Sequence, residues 1–65
     1  MKIDFIVSLL IATPHKPRPY SIEVEVHAYD EQEAEDRAIA HAVRYEKAWR
    51  EEITVQRVAR KAVAA

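Results

Sequence analysis

The sequence predicts an α+β domain of order β-β-α-β, a three-stranded antiparallel sheet (order 2-1-3) with one long helix packed on one face. In two early segments apolar and polar residues alternate, and this two-residue period is typical of a half-buried strand. A long amphipathic segment follows them, and a third alternating segment comes last. With 65 residues the chain has room for one domain only, residues 1–65.

Strand 1 is predicted over residues 2–13, where every second position from Ile3 to Ile11 is apolar. Its other face carries the aliphatic residues Ile6 and Leu10. Apolar residues on both faces are typical of a central strand, or of a strand whose second face is covered by a partner. This apolar stretch is far too short to span a bilayer, so we expect no membrane segment.

The segment 14–19, PHKPRP, is predicted to be a loop, because its prolines exclude a regular element. Strand 2 follows over residues 20–29 and alternates cleanly. Pairing Thr13 with Tyr20 brings apolar residues together at every core position of the hairpin. A slip by one residue would instead turn glutamates towards the core.

The helix is predicted over residues 31–49. Asp30 is a good N-cap, and Glu33 completes a capping-box pattern. At 100° per residue, one face of this helix carries Ala34, Ala38, His41, Ala42, Tyr45, Ala48 and Trp49. We therefore expect a close approach to the sheet along the alanines, a packed histidine, and two aromatic rings that thicken the core. Ile39 and Val43 point away from this face, either as tolerated surface aliphatics or as a second contact for a partner.

Strand 3 is predicted over residues 52–58, with Ile53 and Val55 towards the core and Val58 away from it. The same region also fits a helical period, and residues 59–65 are read as a helical or frayed tail. Placing strand 3 beside strand 1 gives a right-handed crossover.

The composition narrows the classes of function. The net charge is −1, from 10 basic and 11 acidic residues, which is not the bulk signature of a nucleic-acid binder. The chain has no cysteine, so it has no disulfide or thiolate metal site, which fits a cytoplasmic protein. A domain this small is marginally stable alone, so we expect a homodimer.

The open face of the sheet is the most informative surface. Its predicted partner-binding residues are Ile6, Leu10, Glu23, Glu25 and His27, with aliphatic side chains as centre and polar ones as rim. The alternative is an ordinary solvated face with a few stray aliphatic residues.

Enzymatic and metal chemistry are not indicated. Ser8, Glu25 and His27 share the open face, but Ser8 lies mid-strand without an elbow turn or a glycine-lined oxyanion site. The histidines, His15 and His41 included, are too widely spaced for a metal motif. The absence of glycine excludes a Gly-rich phosphate loop, so we expect no catalytic residue, no metal and no cofactor.

A nucleic-acid-binding module is the alternative function. Lys16 and Arg18 lie in the loop, and Arg57, Arg60 and Lys61 lie near the end of strand 3. With strand order 2-1-3, the loop and the end of strand 3 are expected at the same end of the sheet, where the two groups together could bind phosphates. The competing interpretation is that they are ordinary solvated charges.

The junction between strand 2 and the helix, residues 22–43, combines an alternating strand, an acidic N-cap and an E-x-E-A-x-x-x-A helix. This pattern resembles short phage and prophage proteins, although no named family carries residue roles over. The resemblance implies a protein that works by binding a host protein, as anti-CRISPR proteins and inhibitors of host polymerase or nucleases do. The function expected is therefore that of a small protein-protein interaction module, for instance a phage accessory protein that modulates a host complex.

Overall fold

The computed structural model describes residues 2–61 and confirms the predicted α+β architecture. Within these residues the strands form one antiparallel sheet of order β2-β1-β3. The elements are β1 (Ile3–Ile11), β2 (Tyr20–Ala28), helix α1 (Glu31–Tyr45), a 3-10 turn (Arg50–Glu52) and β3 (Ile53–Arg60). No helix of this part of the chain is long and apolar enough to cross a membrane.

The core lies between the sheet and α1. Four inward side chains of β1 are at most 1% exposed, and they are Phe5, Val7, Leu9 and Ile11, while Ile3 at the start of the strand is partly buried. Above them Ala34, Ala38 and Ala42 of the helix are completely buried. Because alanine projects only a methyl group, the helix backbone can approach the sheet closely, as the sequence predicted.

The start of α1 follows the predicted capping pattern. The Asp30 carboxylate accepts a hydrogen bond of 2.8 Å from the backbone N–H of Glu33. The Glu33 carboxylate in turn accepts one of 2.8 Å from the backbone N–H of Tyr29. The first bond satisfies an N–H group that the first turn of a helix leaves without a partner. The second joins Glu33 to the residue before the cap, rather than to Asp30 as in a complete capping box, and both bonds hold the junction between strand and helix.

The hairpin register differs from the prediction by two residues. Ile11, rather than Thr13, is the residue opposite Tyr20, and Leu9 lies opposite Ile22. Each strand keeps its predicted face, because an even shift leaves the alternation unchanged. The proline-containing loop takes up the difference: Thr13 is buried beneath it and accepts a hydrogen bond of 3.3 Å from the backbone N–H of Lys16.

The helix ends at Tyr45, four residues before the predicted end at 49. Lys47 has a φ of 55°, a left-handed backbone conformation that stops a helix. The two aromatic residues expected in the core are consequently exposed, Tyr45 by 61% and Trp49 by 71%. His41, predicted to be packed, is also exposed, and its ring lies 4.6 Å from that of Tyr45.

Strand β3 contains a bulge that the sequence did not indicate. Arg57 lies opposite Ser8 and Val55 opposite Leu9, so Gln56 is an extra residue on the β3 side. The extra residue reverses the alternation after it. Val58 therefore packs against the core, contrary to the prediction that it faces away. The strand continues to Arg60, and of the predicted tail 59–65 the residues 62–65 lie outside the described part.

The close helix–sheet contact predicts a size limit at Ala38. Replacement of Ala38 by leucine should lower the free energy of unfolding by about 1–3 kcal/mol, because a larger side chain must displace well-packed neighbours. Urea unfolding would measure the change. Ala40→Leu is the matched control, since Ala40 is exposed on the same helix. Equal stability of the two variants would show that the contact is not tight.

Candidate protein-interaction face

The open sheet face is the surface of the sheet opposite α1, and three strands contribute to it. Its side chains come from alternate positions on β1 and β2, and from β3 on both sides of the bulge. They are Asp4, Ile6, Ser8, Leu10, Ser21, Glu23, Glu25, His27, Thr54, Gln56, Arg57, Ala59 and Lys61.

The centre of the open sheet face is partly apolar. Ile6 and Leu10 project from the central strand and are half-buried, as are Ser8 between them and Ala59 beside Ile6. Within residues 2–61, none of these side chains belongs to the hydrophobic core cluster. A strip of aliphatic surface therefore faces outward along the middle of the sheet.

Polar contacts cross β1 from one edge strand to the other. The Lys61 ammonium donates a hydrogen bond of 2.9 Å to Glu25, and Ser21 Oγ donates one of 3.2 Å to Gln56 Oε1. On the neighbouring strands, the His27 imidazole contacts the Asp4 carboxylate. Because the side chains involved are about half exposed, these contacts orient the surface more than they stabilise the fold.

The charges of the open sheet face are sorted by strand. The acidic column consists of Glu23 and Glu25 on β2, and the basic column consists of Arg57 and Lys61 at the β3 edge. The bulge produces this sorting, because without Gln56 as an extra residue Arg57 would point towards the helix side. The sequence prediction placed the two glutamates correctly but missed the basic column.

A depression of about 230 Å³ on the open sheet face is lined by residues of all three strands. Ile6, Ser8 and Ala59 line it, together with the cationic side chains of Arg57, Arg60 and Lys61. Glu23 also lines it. The depression can therefore receive a side chain of a partner and offers that side chain cationic groups.

The residues of the rejected catalytic hypothesis are not brought together as a triad. Ser8 lies opposite Glu23, Glu25 opposite Ile6, and His27 opposite Asp4, so the serine and the imidazole are in different rows of the sheet. In the part of the chain from residue 2 to residue 61, no group of three histidine or carboxylate side chains is arranged to hold a metal ion.

The prediction that the basic loop and the basic end of β3 form one phosphate-binding surface is wrong. Lys16 and Arg18 lie in the loop after β1, whereas Arg60 is opposite Phe5 near the start of β1. Because β3 runs antiparallel to β1, its final residues are at the far end of the sheet from that loop. The two basic groups therefore do not form one surface.

The helix residues singled out from the sequence have different surroundings. Ile39 is half-buried and packs against the core cluster, while Val43 is 41% exposed. They do not form a second aliphatic strip of the kind seen on the sheet.

Two exposed aromatic residues, one at the end of α1 and one just before the 3-10 turn, were predicted from the sequence to lie in the core. Trp49 and Tyr45 follow the helical period of the core face, which concealed their exposure. A glycine usually occupies the left-handed position that follows a helix and so marks its end in the sequence. Here Lys47 occupies that position, and the sequence therefore gave no sign of where the helix ends.

Comparisons with known proteins give no relative for this chain. A scan against family models finds no match, and searches of curated proteins and of solved structures find no significant match.

Two side chains have raised pKa values. The hydrogen bond to Glu25, together with the charge of that carboxylate, raises the pKa of Lys61. Burial, and then the hydrogen bond from its hydroxyl group to Glu46, raises the pKa of Tyr20. The lysine is therefore a stable cation of the open sheet face at neutral pH.

Glu25→Gln should lower the pKa of Lys61 towards its ordinary value. Since the folded-state pKa of Lys61 is raised, the pair stabilises the fold at neutral pH, and this contribution is lost as the pH rises through that pKa. NMR titration of the lysine side chain between neutral and alkaline pH would measure the shift. Glu23→Gln is the control, because Glu23 is not a cause of the raised value. An unchanged pKa in Glu25→Gln would contradict the pairing.

Proposed function

We propose that this chain is a non-enzymatic protein-protein interaction module that contacts its partner through the open sheet face. The observation that carries the proposal is the aliphatic strip of Ile6 and Leu10 between two columns of opposite charge. A partly apolar centre with a polar rim is the usual anatomy of a protein interface.

The packing of the fold supports this choice of surface. One sheet face is filled by the inward side chains of β1 and by the alanines of α1, so its aliphatic residues are accounted for by the core. Ile6 and Leu10 make no contribution to that core. Covering aliphatic area by a partner is favourable by about 25 cal/mol for each Å² removed from water.

The biological setting in this proposal is that of a cytoplasmic phage accessory protein that modulates a host complex. It rests on the resemblance of residues 22–43 to short phage proteins. The charge columns add a physical criterion for the partner, whose surface must carry both signs of charge on either side of an apolar centre.

Ile6→Lys and Leu10→Lys should each weaken partner capture at least tenfold while the fold is retained. A lysine in the strip would bring a desolvated ammonium into the contact. Immobilised wild-type protein and variants would be exposed to bacterial lysate at low and high salt, and retained proteins quantified by mass spectrometry. Circular dichroism would confirm folding.

Ala40→Lys is the matched control, because it adds the same charge at an exposed position of α1. Val43→Lys tests the helix contact by the same assay. Equal capture by all the variants would contradict the assignment of the open sheet face. Capture that disappears after nuclease treatment would favour the nucleic-acid alternative.

A further inference from the structure

We propose that the open sheet face binds a second copy of this chain, face to face, about a two-fold axis parallel to β1. The inference rests on the proposed function, because it names the partner of that same surface. It is carried by the sorting of charge into an acidic column on β2 and a basic column at the β3 edge.

The orientation of the axis follows from the charges. A two-fold axis parallel to the strands places the β2 edge of one copy over the β3 edge of the other. The acidic column of each copy then faces the basic column of its partner. An axis perpendicular to the strands, within the interface, would instead set glutamates against glutamates and cations against cations, which is unfavourable. The parallel axis brings Asp4 close to the Asp4 of the other copy, because Asp4 lies on β1, but there the carboxylate already contacts His27.

The register of the strands determines which charged residues of the two copies face each other. Glu23 and Arg57 lie opposite the same residue, Ser8, on either side of β1. They are therefore at the same height along the axis, and the rotation brings Glu23 of each copy over Arg57 of the other. Within residues 2–61 neither side chain is engaged in an ion pair, so both are available for this contact.

The apolar strip lies on the axis itself. β1 is the middle strand, so Ile6 and Leu10 of one copy meet the same residues of the other copy, as a symmetric interface requires. The depression beside Ser8 and Ala59 lies under the acidic column of the partner. Its cationic side is therefore aimed at carboxylates that the second copy supplies.

The contact area sets the expected strength. With about 3.3 Å per residue and about 4.8 Å between strands, a sheet of two nine-residue strands and one eight-residue strand covers roughly 400 Å² on each copy. A total near 800 Å² is below the usual size of a stable interface, so we expect a weak dimer that forms at high protein concentration. Because charge pairs contribute, dimerisation should weaken as salt is added.

The test is sedimentation-velocity ultracentrifugation of purified protein over a range of concentrations. Wild type should dimerise, and Glu23→Arg and Arg57→Glu should each weaken dimerisation at least tenfold, because each reversal occurs twice in the dimer. An equimolar mixture of the two variants should form a heterodimer. Glu51→Arg, an exposed reversal away from the sheet face, should behave as wild type.

The double variant E23R/R57E distinguishes the axes. With the axis parallel to β1 it should dimerise with itself and not with wild type, whereas a perpendicular axis gives the reverse. Ile6→Lys provides an independent check that does not depend on charge pairing, because it places two ammonium groups on the axis and should abolish dimerisation.

Several outcomes would overturn the inference. They are a monomeric wild type at millimolar concentration, full dimerisation of E23R, and no heterodimer in the mixture. Recovery in the double variant without recovery in the mixture would assign the two residues to a contact within one copy. These results concern self-association alone, and the lysate experiment tests the capture of another protein by the same surface separately.

Discussion

The close contact between the alanine face of α1 and the central strand is the constraint on which this structure depends. One helix can cover one face of a small sheet, and the fully buried Ala34, Ala38 and Ala42 allow it to do so at short distance. Because α1 lies on one face only, no helix of residues 2–61 covers the second face. Core packing therefore determines which surface is left for other molecules, before any question of chemistry arises.

The charged side chains of the open sheet face matter more for binding a partner than for folding. Ion pairs between exposed side chains contribute little free energy, so the Glu25–Lys61 pair is not needed for folding. When a partner excludes water, the same charges are screened less, and each ion pair then contributes more to the free energy of binding. A surface of this kind can keep the monomer soluble and still select the orientation of a partner.

The fold class, strand order and starting cap of the helix could be predicted because they follow from local signals: alternation, helical period and the Asp30–Glu33 pattern. The glutamates of the open sheet face followed from the same alternation. Three features could not be predicted. The Gln56 bulge reverses the alternation by a pairing choice made with β1, the proline loop sets the hairpin register through the burial of Thr13, and Lys47 ends the helix where no glycine marks it.

The position of β1 between its two neighbours also has a consequence for how the protein is made. Among the three strands β1 is synthesised before the others, and its neighbour β3 follows only after all of β2 and α1. Until residue 60 emerges, the nascent chain holds a hairpin and a helix with one long edge of β1 unpaired. Because such distant pairing is slow to form, the pairing of β3 with β1 should be slower than closure of the β1–β2 hairpin.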